Sequence, residues 1–244
     1  MKRFLQVLIF FIAGNAFAQG NLKQKCEEFN QLNTFVRDSK IEKDKAKARF
    51  STLLNEIENE LSKLSFVYID SSLYFPMKGY NLSAVGGKNG NGYVPGNYSY
   101  FDGNAHTGHA AQDIFIRDTN QDSKDDLYTK DVPILSMSAG VVIACEPNWD
   151  INSNLRGGKY IWVFDPLNHY LYYYAHQKKI IVKPGDWVKA GQEIGLMGRT
   201  GKNAYQKRSP THLHLMVLKL DSNYMPKPIN AYPVLKMGRL QKWY

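Results

Sequence analysis

The sequence predicts a mainly β domain that is preceded by an N-terminal helical arm. Three observations predict this fold class: a change in Gly and Pro content, helical spacing of apolar residues before it, and short β-branched or aromatic runs after it. Residues 21–75 contain neither Gly nor Pro, whereas the chain after Pro76 is rich in both. We therefore divide the chain into a leader over residues 1–18, a helical region over 19–72 and a β domain over 73–244.

The leader has the layout of a secretory signal peptide. Lys2 and Arg3 precede an apolar run, and Ala16-Phe17-Ala18 is a small-x-small cleavage site. The run is about half of the ~20 residues that a spanning helix needs, so we predict no transmembrane span. Cleavage after Ala18 would give an exported protein of the periplasm, cell envelope or extracellular space.

Apolar residues in the arm recur at intervals of three and four, which predicts helix. The stronger stripe contains Phe50, Leu53, Leu54, Ile57, Leu61 and Leu64, and the weaker one contains Cys26, Phe29, Leu32 and Val36. Two helices joined near Arg37–Lys40 and one long helix both fit this pattern. The arm either packs on the β domain or forms a coiled coil for self-association or for a protein partner. The stripe is shorter than the three to four heptads that mark a firm coiled coil.

Short runs of β-branched and aromatic residues predict the strands of the second part. These runs are Asp113–Ile116, Val141–Ala144, Tyr160–Phe164, Tyr170–Ala175 and His212–Leu220. The turn sequence Asp165-Pro166-Leu167-Asn168 predicts a hairpin between the third and fourth runs. Glycines every three to six residues between Gly185 and Gly201 predict tight turns between very short strands. The stretch Gly86–Gly96 lacks a Gly-Lys-Ser/Thr ending, so we interpret it as a flexible loop and not as a phosphate cradle.

The histidines are the residues that indicate metal binding or catalysis. In His212-Leu213-His214 the two imidazoles share one face of a strand, where burial is costly unless they bind or transfer something. His109 precedes Asp113 by four residues and can bend round to the same point. A His/Asp pair and a His from another strand supply three ligands for a tetrahedral zinc ion with its fourth position open. His176 shares its parity with Tyr170, Tyr172 and Tyr174, so a regular strand would place it on their face.

Taken in order, these motifs resemble the lysostaphin/LytM-type zinc endopeptidases, a family that cleaves peptidoglycan. The matching motifs are His109-x-x-x-Asp113, Tyr174-Ala175-His176, the glycine ladder between Val182 and Gly201, and His212-Leu213-His214. The resemblance covers about residues 74–220. Each short motif is weak alone, and the correct order of all four is specific.

The resemblance implies an antiparallel β-sheet core with a groove across it. It carries the zinc ligands over to His109, Asp113 and His214, and the catalytic, non-ligand histidines over to His176 and His212. The implied protein is a secreted zinc metalloendopeptidase that hydrolyses peptide cross-links of bacterial peptidoglycan with metal-activated water. The alternative is a catalytically silent wall-binding protein that activates a peptidoglycan amidase, and such relatives lose metal ligands.

The amino-acid composition excludes several classes of protein and of binding partner. The chain has 244 residues, of which 43% are hydrophobic and 22% charged, which excludes wholly disordered and multi-span membrane proteins. The net charge of +9 favours an anionic partner. Scattered Lys and Arg residues without a basic-aromatic motif indicate no nucleic-acid binding. Cys26 and Cys145 either pair with each other or are separate buried thiols.

Several loops lie outside the motifs. His106 is interpreted as an exposed loop histidine, with a groove-rim role as the alternative, and His169 as a surface residue of the hairpin turn. The acidic stretch over residues 118–129 begins like a calcium loop, but Ser123 and Thr129 replace the expected Gly and Glu, which favours a solvated loop. This acidic insertion and the insertions over residues 146–159 and 203–210 are expected to rim the groove.

Overall fold

The computed structural model describes residues 2–64 and 70–243, with side chains described from residue 19 onward. Helices α1 (Lys2–Arg37) and α2 (Lys43–Ser62) come first, and helix α3 (Tyr232–Met237) lies near the other end. Short 3-10 turns cover Leu82–Ala84 and Tyr100–Ala105. The strands are β1 (Gln112–Phe115), β2 (Lys124–Asp125), β3 (Lys130–Asp131), β4 (Pro133–Leu135), β5 (Gly140–Glu146), β6 (Lys159–Asp165), β7 (Tyr170–Ile180), β8 (Trp187–Val188), β9 (Glu193–Met197), β10 (His212–Leu220) and β11 (Pro226–Ile229).

The arm consists of two helices, one of the two arrangements that its sequence allowed. Helix α1 ends at Arg37, and the chain reverses through Ser39, whose φ is +55°. Glu42 then caps α2, because its carboxylate accepts hydrogen bonds from the backbone N–H groups of Asp44 and Lys45 at 3.0 Å each.

Both apolar stripes of the arm are buried inside the chain, against each other and against the sheet. Their members Cys26, Phe29, Leu32, Val36, Phe50, Leu53, Leu54, Ile57, Leu61 and Leu64 belong to one core cluster with residues of β5, β6, β7 and β10. The ring of Phe50 lies 5.2 Å from that of Phe29 and 4.9 Å from that of Tyr100. The structure therefore agrees with the packed-arm alternative, because a coiled-coil dimer would need these same side chains.

The signal peptide predicted over residues 1–18 lies outside the residues whose side chains the structure describes. Within the described part of the chain, no helix is both long enough and apolar enough to span a lipid bilayer.

The sheet is antiparallel, and all five predicted strand runs are strands in the structure. Strands are hydrogen-bonded in the order β1-β10-β7-β6-β5-β8, with β11 beside β10 and β9 joining β4 to β7. The predicted hairpin joins β6 to β7, where Asp165 pairs with Tyr170. The glycine ladder produces the predicted short strands β8 and β9.

The two faces of the sheet pack against different parts of the chain. One face, which includes Phe164, Ala175 and Met216, packs under the two N-terminal helices. The opposite face, which includes Tyr172 and Leu215, forms a second core beneath loops and helix α3. Because side chains alternate along a strand, His212, His214 and Met216 of β10 lie on the helix-covered face.

In the acidic stretch over residues 118–129, side-chain carboxylates accept hydrogen bonds from the backbone of the same loop. The carboxylate of Asp118 accepts hydrogen bonds from the N–H groups of Asp122 at 3.0 Å and Ser123 at 2.9 Å. Asp125 is fully buried and pairs with Arg117 at 2.7 Å. Among the described residues, no three acidic groups of this loop lie close enough together to form a metal-ligand group, and Asp118, Ser123 and Asp125 are buried. Cys26 and Cys145 are separate free thiols.

We expect Phe50→Ala to lower the free energy of unfolding by about 3–5 kcal/mol, because Phe50 is fully buried where both helices meet the sheet domain. The matched control is Phe35→Ala, since Phe35 is 47% exposed. That substitution is expected to change stability by no more than about 0.5 kcal/mol. Urea unfolding followed by circular dichroism measures both, and equal effects would contradict the packing described above.

Candidate metal centre

The centre is built on the pairing of β1 with β10. In this register Asp113 lies opposite His214 and Phe115 lies opposite His212. The Oδ1 atom of Asp113 is 3.0 Å from Nδ1 of His214. Two adjacent antiparallel strands therefore supply one carboxylate and one imidazole that face the same point.

His109 reaches this point from the segment that precedes β1. Its backbone pairs with Val94 through N–H···O bonds of 2.7 and 2.8 Å, and its Nδ1–H donates to the carbonyl of Gly92 at 2.9 Å. The Nε2 atom then lies 3.2 Å from Oδ1 of Asp113. Residues 86–96, which we interpreted as a flexible loop, thus hold a candidate ligand in place.

These three residues form a candidate metal site. The donor atoms of His109, Asp113 and His214 all lie within 4.8 Å of one another. A tetrahedral zinc ion with ligands at about 2.0–2.2 Å keeps its ligand atoms roughly 3.4 Å apart, close to the separations of 3.0 and 3.2 Å given above. Two imidazole nitrogens and one carboxylate oxygen are also donors that zinc accepts, so the residues fit the ion.

The electrostatics of the cluster favour a cation between these groups. Burial alone would raise the pKa of Asp113, but hydrogen bonds from His109 and His214 outweigh it and hold the pKa well below its ordinary value. The hydrogen bond to Asp113 raises the pKa of His109. Both ring nitrogens of His109 face oxygen acceptors, so a proton on Nε2 stands where a metal ion would bind.

His212 lies beside the cluster and is held by its own local backbone. Its Nδ1–H donates to the carbonyl of Pro210 at 2.7 Å, and its Nε2 is 3.7 Å from Oδ1 of Asp113. Burial lowers the pKa of His212. The neutral ring therefore directs the lone pair of Nε2 towards the centre.

The predicted position of His176, on the same strand face as Tyr172 and Tyr174, is wrong. A β-bulge interrupts β7 at this residue, where the register against β6 shifts and the φ of His176 is +65°. The ring leaves the face of Tyr172 and Tyr174 and lies 4.9 Å from the ring of His212, centroid to centroid. Its Nδ1–H donates to the carbonyl of Thr200 at 2.8 Å, and burial lowers its pKa well below the ordinary value.

The bulged position depends on a close approach by Gly201. A Cβ atom on Gly201 would lie 2.9 Å from Nδ1 of His176 and 2.4 Å from the carbonyl oxygen of Arg156, and the φ of Gly201 is +118°. Only glycine adopts this conformation and this spacing without strain.

A polar clamp behind His212 escaped the sequence analysis. The buried hydroxyl of Thr211 donates to Oδ2 of Asp118 at 2.5 Å and accepts from Nη1 of Arg199 at 2.8 Å. Arg199 also donates to the carbonyl of Gln206 at 2.9 Å. Three distant segments thus fix the residue before His212, and nothing in the local sequence indicates their convergence.

Of the predictions for the two remaining histidines, the one for His169 agrees with the structure and the one favoured for His106 does not. His169 is on the surface as predicted, with its ring stacked on Tyr224 at 5.6 Å. His106 is not the exposed loop residue that we favoured, because it lines the cavity of the centre and burial lowers its pKa. Its Nδ1–H donates to Gly103 at 2.6 Å, which turns the ring inward.

The centre opens into a cavity of about 240 Å³ that has two walls. The insertions over residues 146–159 and 203–210 form one wall, as predicted, and the N–H of Lys202 ties this wall together by donating to Leu155 at 2.9 Å. The acidic insertion was expected to rim the groove too, but none of its described residues lines the cavity. The other wall comes from residues 98–110 and from α1, through Asn33, Val36 and Arg37. Three potential metal ligands beside two neutral imidazoles in such a cavity are typical of a metal-dependent hydrolase.

The sequence matches agree with this class. A sequence model of peptidase family M23 matches residues 124–226. Lysostaphin of Staphylococcus simulans is 34% identical over 104 residues, which are 43% of this chain and 19% of that protein. An uncharacterized metalloprotease of Buchnera aphidicola subsp. Baizongia pistaciae (strain Bp) is 36% identical over 85 residues, which are 35% of this chain and 19% of that protein. The chain spans about a fifth of the length of these relatives.

Solved structures were matched as well. The catalytic domain of lysostaphin from Staphylococcus simulans is 29% identical, covers 59% of this chain and 89% of its own, and has a TM-score of 0.39. A candidate LytM glycyl-glycine endopeptidase from Ruminococcus gnavus ATCC 29149 is 22% identical, covers 93% and 88%, and has a TM-score of 0.46. Because both TM-scores are below 0.5, we draw the similarity to M23 peptidases from the sequence matches alone.

Residues 124–226, which include part of the site, are thus similar in sequence to peptidase family M23 and to lysostaphin. The matched segment includes His176, His212 and His214, and it begins after His109 and Asp113. The structure adds these two, because it brings them to His214.

We expect Thr211→Val to lower the free energy of unfolding by about 1–3 kcal/mol, because it leaves the buried Asp118 carboxylate and Arg199 guanidinium without their shared hydroxyl. Thr211→Ser keeps the hydroxyl and should restore most of the loss. Thr119→Val, at an exposed threonine, is the matched control. Urea unfolding decides: a Thr211→Val protein as stable as the control would rule out the clamp.

Proposed function

We propose that this protein is a secreted zinc metalloendopeptidase that hydrolyses peptide cross-links of bacterial peptidoglycan. The observation that carries the proposal is the convergence of His109, Asp113 and His214 within 4.8 Å, beside His176 and His212 and within one cavity. The match of residues 124–226 to peptidase family M23 supports peptide-bond hydrolysis, and the net charge of +9 suits an anionic wall.

Nε2 of His109, the carboxylate of Asp113 and Nδ1 of His214 would hold the zinc ion. When bound, zinc lowers the pKa of a water molecule from about 15.7 towards about 7 and polarises the scissile carbonyl. Asp113 is ionised at neutral pH because its pKa lies well below the ordinary value, so it binds a cation without first losing a proton.

His212 acts as the general base. Its Nδ1–H is committed to the Pro210 carbonyl, so Nε2 has the lone pair that takes a proton from the attacking water. The lowered pKa keeps the ring unprotonated at neutral pH, so it can accept a proton. The proton then passes to the leaving amine, and no covalent intermediate forms.

His176 holds and orients the attacking water. Its Nδ1–H is committed to Thr200, so the neutral ring offers Nε2 only as a hydrogen-bond acceptor. In this form it accepts a hydrogen bond from water and cannot donate one to an oxyanion. The two histidines thus present two acceptors on one side of the water molecule.

The deciding experiment is digestion of purified wall fragments with the protein, with and without a chelator, followed by mass analysis. We expect cleaved cross-link peptides without chelator and none with it, and recovery of activity when zinc is restored. Products cleaved between sugar and peptide, or no products from a zinc-loaded protein, would contradict the proposed activity.

Two substitutions separate metal binding from turnover. We expect His212→Ala to keep stoichiometric zinc and to lose at least about 100-fold in kcat, the lower range for a general base. His214→Ala should lose both zinc and activity. His169→Ala, at a histidine on the surface, is the matched control and should keep both. Zinc content by plasma emission and turnover of wall fragments measure these outcomes, and full activity in either site variant would overturn the assignment.

We also propose export, on the basis of the signal-peptide layout of residues 1–18. The intact mass of the exported protein should correspond to a chain that starts at Gln19. A mass that includes Met1 would refute cleavage after Ala18.

A silent activator of an amidase is the weaker alternative. Such a protein has no need of metal ligands, whereas this chain has two imidazoles and one carboxylate within reach of one ion. The helical arm, which resembles that of silent relatives, is used here in packing against the sheet.

A further inference from the structure

A guanidinium without a carboxylate partner lies in the cavity of the candidate centre. Arg156 lines this cavity and is partly buried. Its one side-chain hydrogen bond to a described residue runs from Nη1 to the backbone carbonyl of His106 at 2.9 Å. No carboxylate among the described residues lies within 4.0 Å of it.

The backbone of Arg156 is fixed next to His176. The carbonyl of Gly157 accepts the N–H of His176 at 2.9 Å, and the carbonyl of Arg156 packs against Gly201. From this side the guanidinium crosses to the wall that contains His106. The side chain therefore lies in the same cavity as the candidate ligands His109, Asp113 and His214.

The charge of Arg156 is not compensated by the cavity. Asp113 is the one acidic residue among the described residues that line it, and its Oδ1 is shared by His109 and His214. Arg37, the other arginine of the lining, is paired with Asp38 and Glu146 at 2.7 Å each. A partly buried guanidinium that lacks such partners is free to pair with a negatively charged group of a ligand.

We propose that Arg156 binds a free carboxylate of the substrate peptide, next to the bond that is cleaved. This inference rests on the proposed function and defines the substrate class more closely: peptides with a carboxylate within about one residue of the scissile amide. One N–H is held by His106, and the rest of the planar guanidinium can form the paired hydrogen bonds that carboxylates accept.

The test uses pairs of synthetic cross-linked peptides that differ only in a carboxylate replaced by a carboxamide. One pair carries the change at the terminal carboxyl, and a second pair carries it at an internal residue beside the scissile bond. We expect the zinc-loaded wild-type protein to prefer the carboxylate in at least one pair by about 10- to 100-fold in kcat/KM, the size of a charge-assisted hydrogen-bonded contact. The pair that shows the preference identifies which carboxylate is bound.

Substitutions then assign the preference to this side chain. Arg156→Met should reduce the preference to within about 2-fold, mainly through KM for the carboxylate peptide, while kcat for the carboxamide peptide is retained. Arg156→Lys should keep part of the preference, because it keeps the charge and loses the planar fork. Lys202→Met is the matched control, since Lys202 is an exposed cation next to the same wall and bonds to Asn154 at 3.0 Å. It should leave the preference unchanged, and equal zinc content and circular dichroism confirm folding of each variant.

Three results would overturn the inference. The first is equal cleavage of both members of each pair by the wild-type protein, which leaves the proposed function standing. The second is a preference that survives in Arg156→Met. The third is an equal loss of kcat for both members in Arg156→Met, which would instead make the guanidinium a stabiliser of the oxyanion. If no peptide is cleaved at all, the proposed function fails, and calorimetric binding of the same pairs still shows whether Arg156 selects a carboxylate.

Discussion

The antiparallel register of β1 against β10 places Asp113 opposite His214, and the centre is built around this pair. A shift of one residue in either strand would turn one of the two side chains to the opposite face, which is a buried apolar core. Ile114 and Leu213 are fully buried in that core and fix the register, because they are neighbours of the polar residues on both strands. The site geometry is therefore secured by apolar packing on the far side of the sheet.

Backbone carbonyls then set the direction of three imidazoles. The carbonyls of Gly92, Pro210 and Thr200 accept the Nδ1–H groups of His109, His212 and His176. Each bond fixes the tautomer, so each Nε2 faces the centre. His214 differs, because its Nδ1 faces Asp113 directly. Three different loops supply these carbonyls, and each carbonyl fixes the tautomer of one imidazole.

The sequence predicts the parts of this site that depend on local periodicity. Alternation along a strand correctly places His212 and His214 on one face, and it fails at His176, because a bulge reverses the face after Ala175. Bulges follow from long-range packing, here from Gly201 and the Thr200 carbonyl, and local alternation does not contain that information.

The same limit explains the residues that the sequence analysis missed. Thr211 and Arg156 lie in irregular segments and act through partners that are distant along the chain. A resemblance to a family supplies the residues that recur in its motifs, and these two lie outside the motifs. His109, Asp113 and His214 lie within such motifs, so the sequence alone predicts them as ligands without their distances.

The helical arm lines one wall of the cavity and does not fill it. Asn33 of α1 is buried, donates to the hydroxyl of Tyr160 at 2.9 Å and accepts from that of Tyr100 at 2.9 Å. The end of α1 packs on Gly103, where a Cβ atom would lie 2.2 Å from the carbonyl oxygen of Val36. These contacts hold the loop that contains His106, and through its carbonyl they hold Arg156. Because the wall on which Arg156 rests is supported by α1, the arm shapes the part of the cavity where a substrate carboxylate would be recognised.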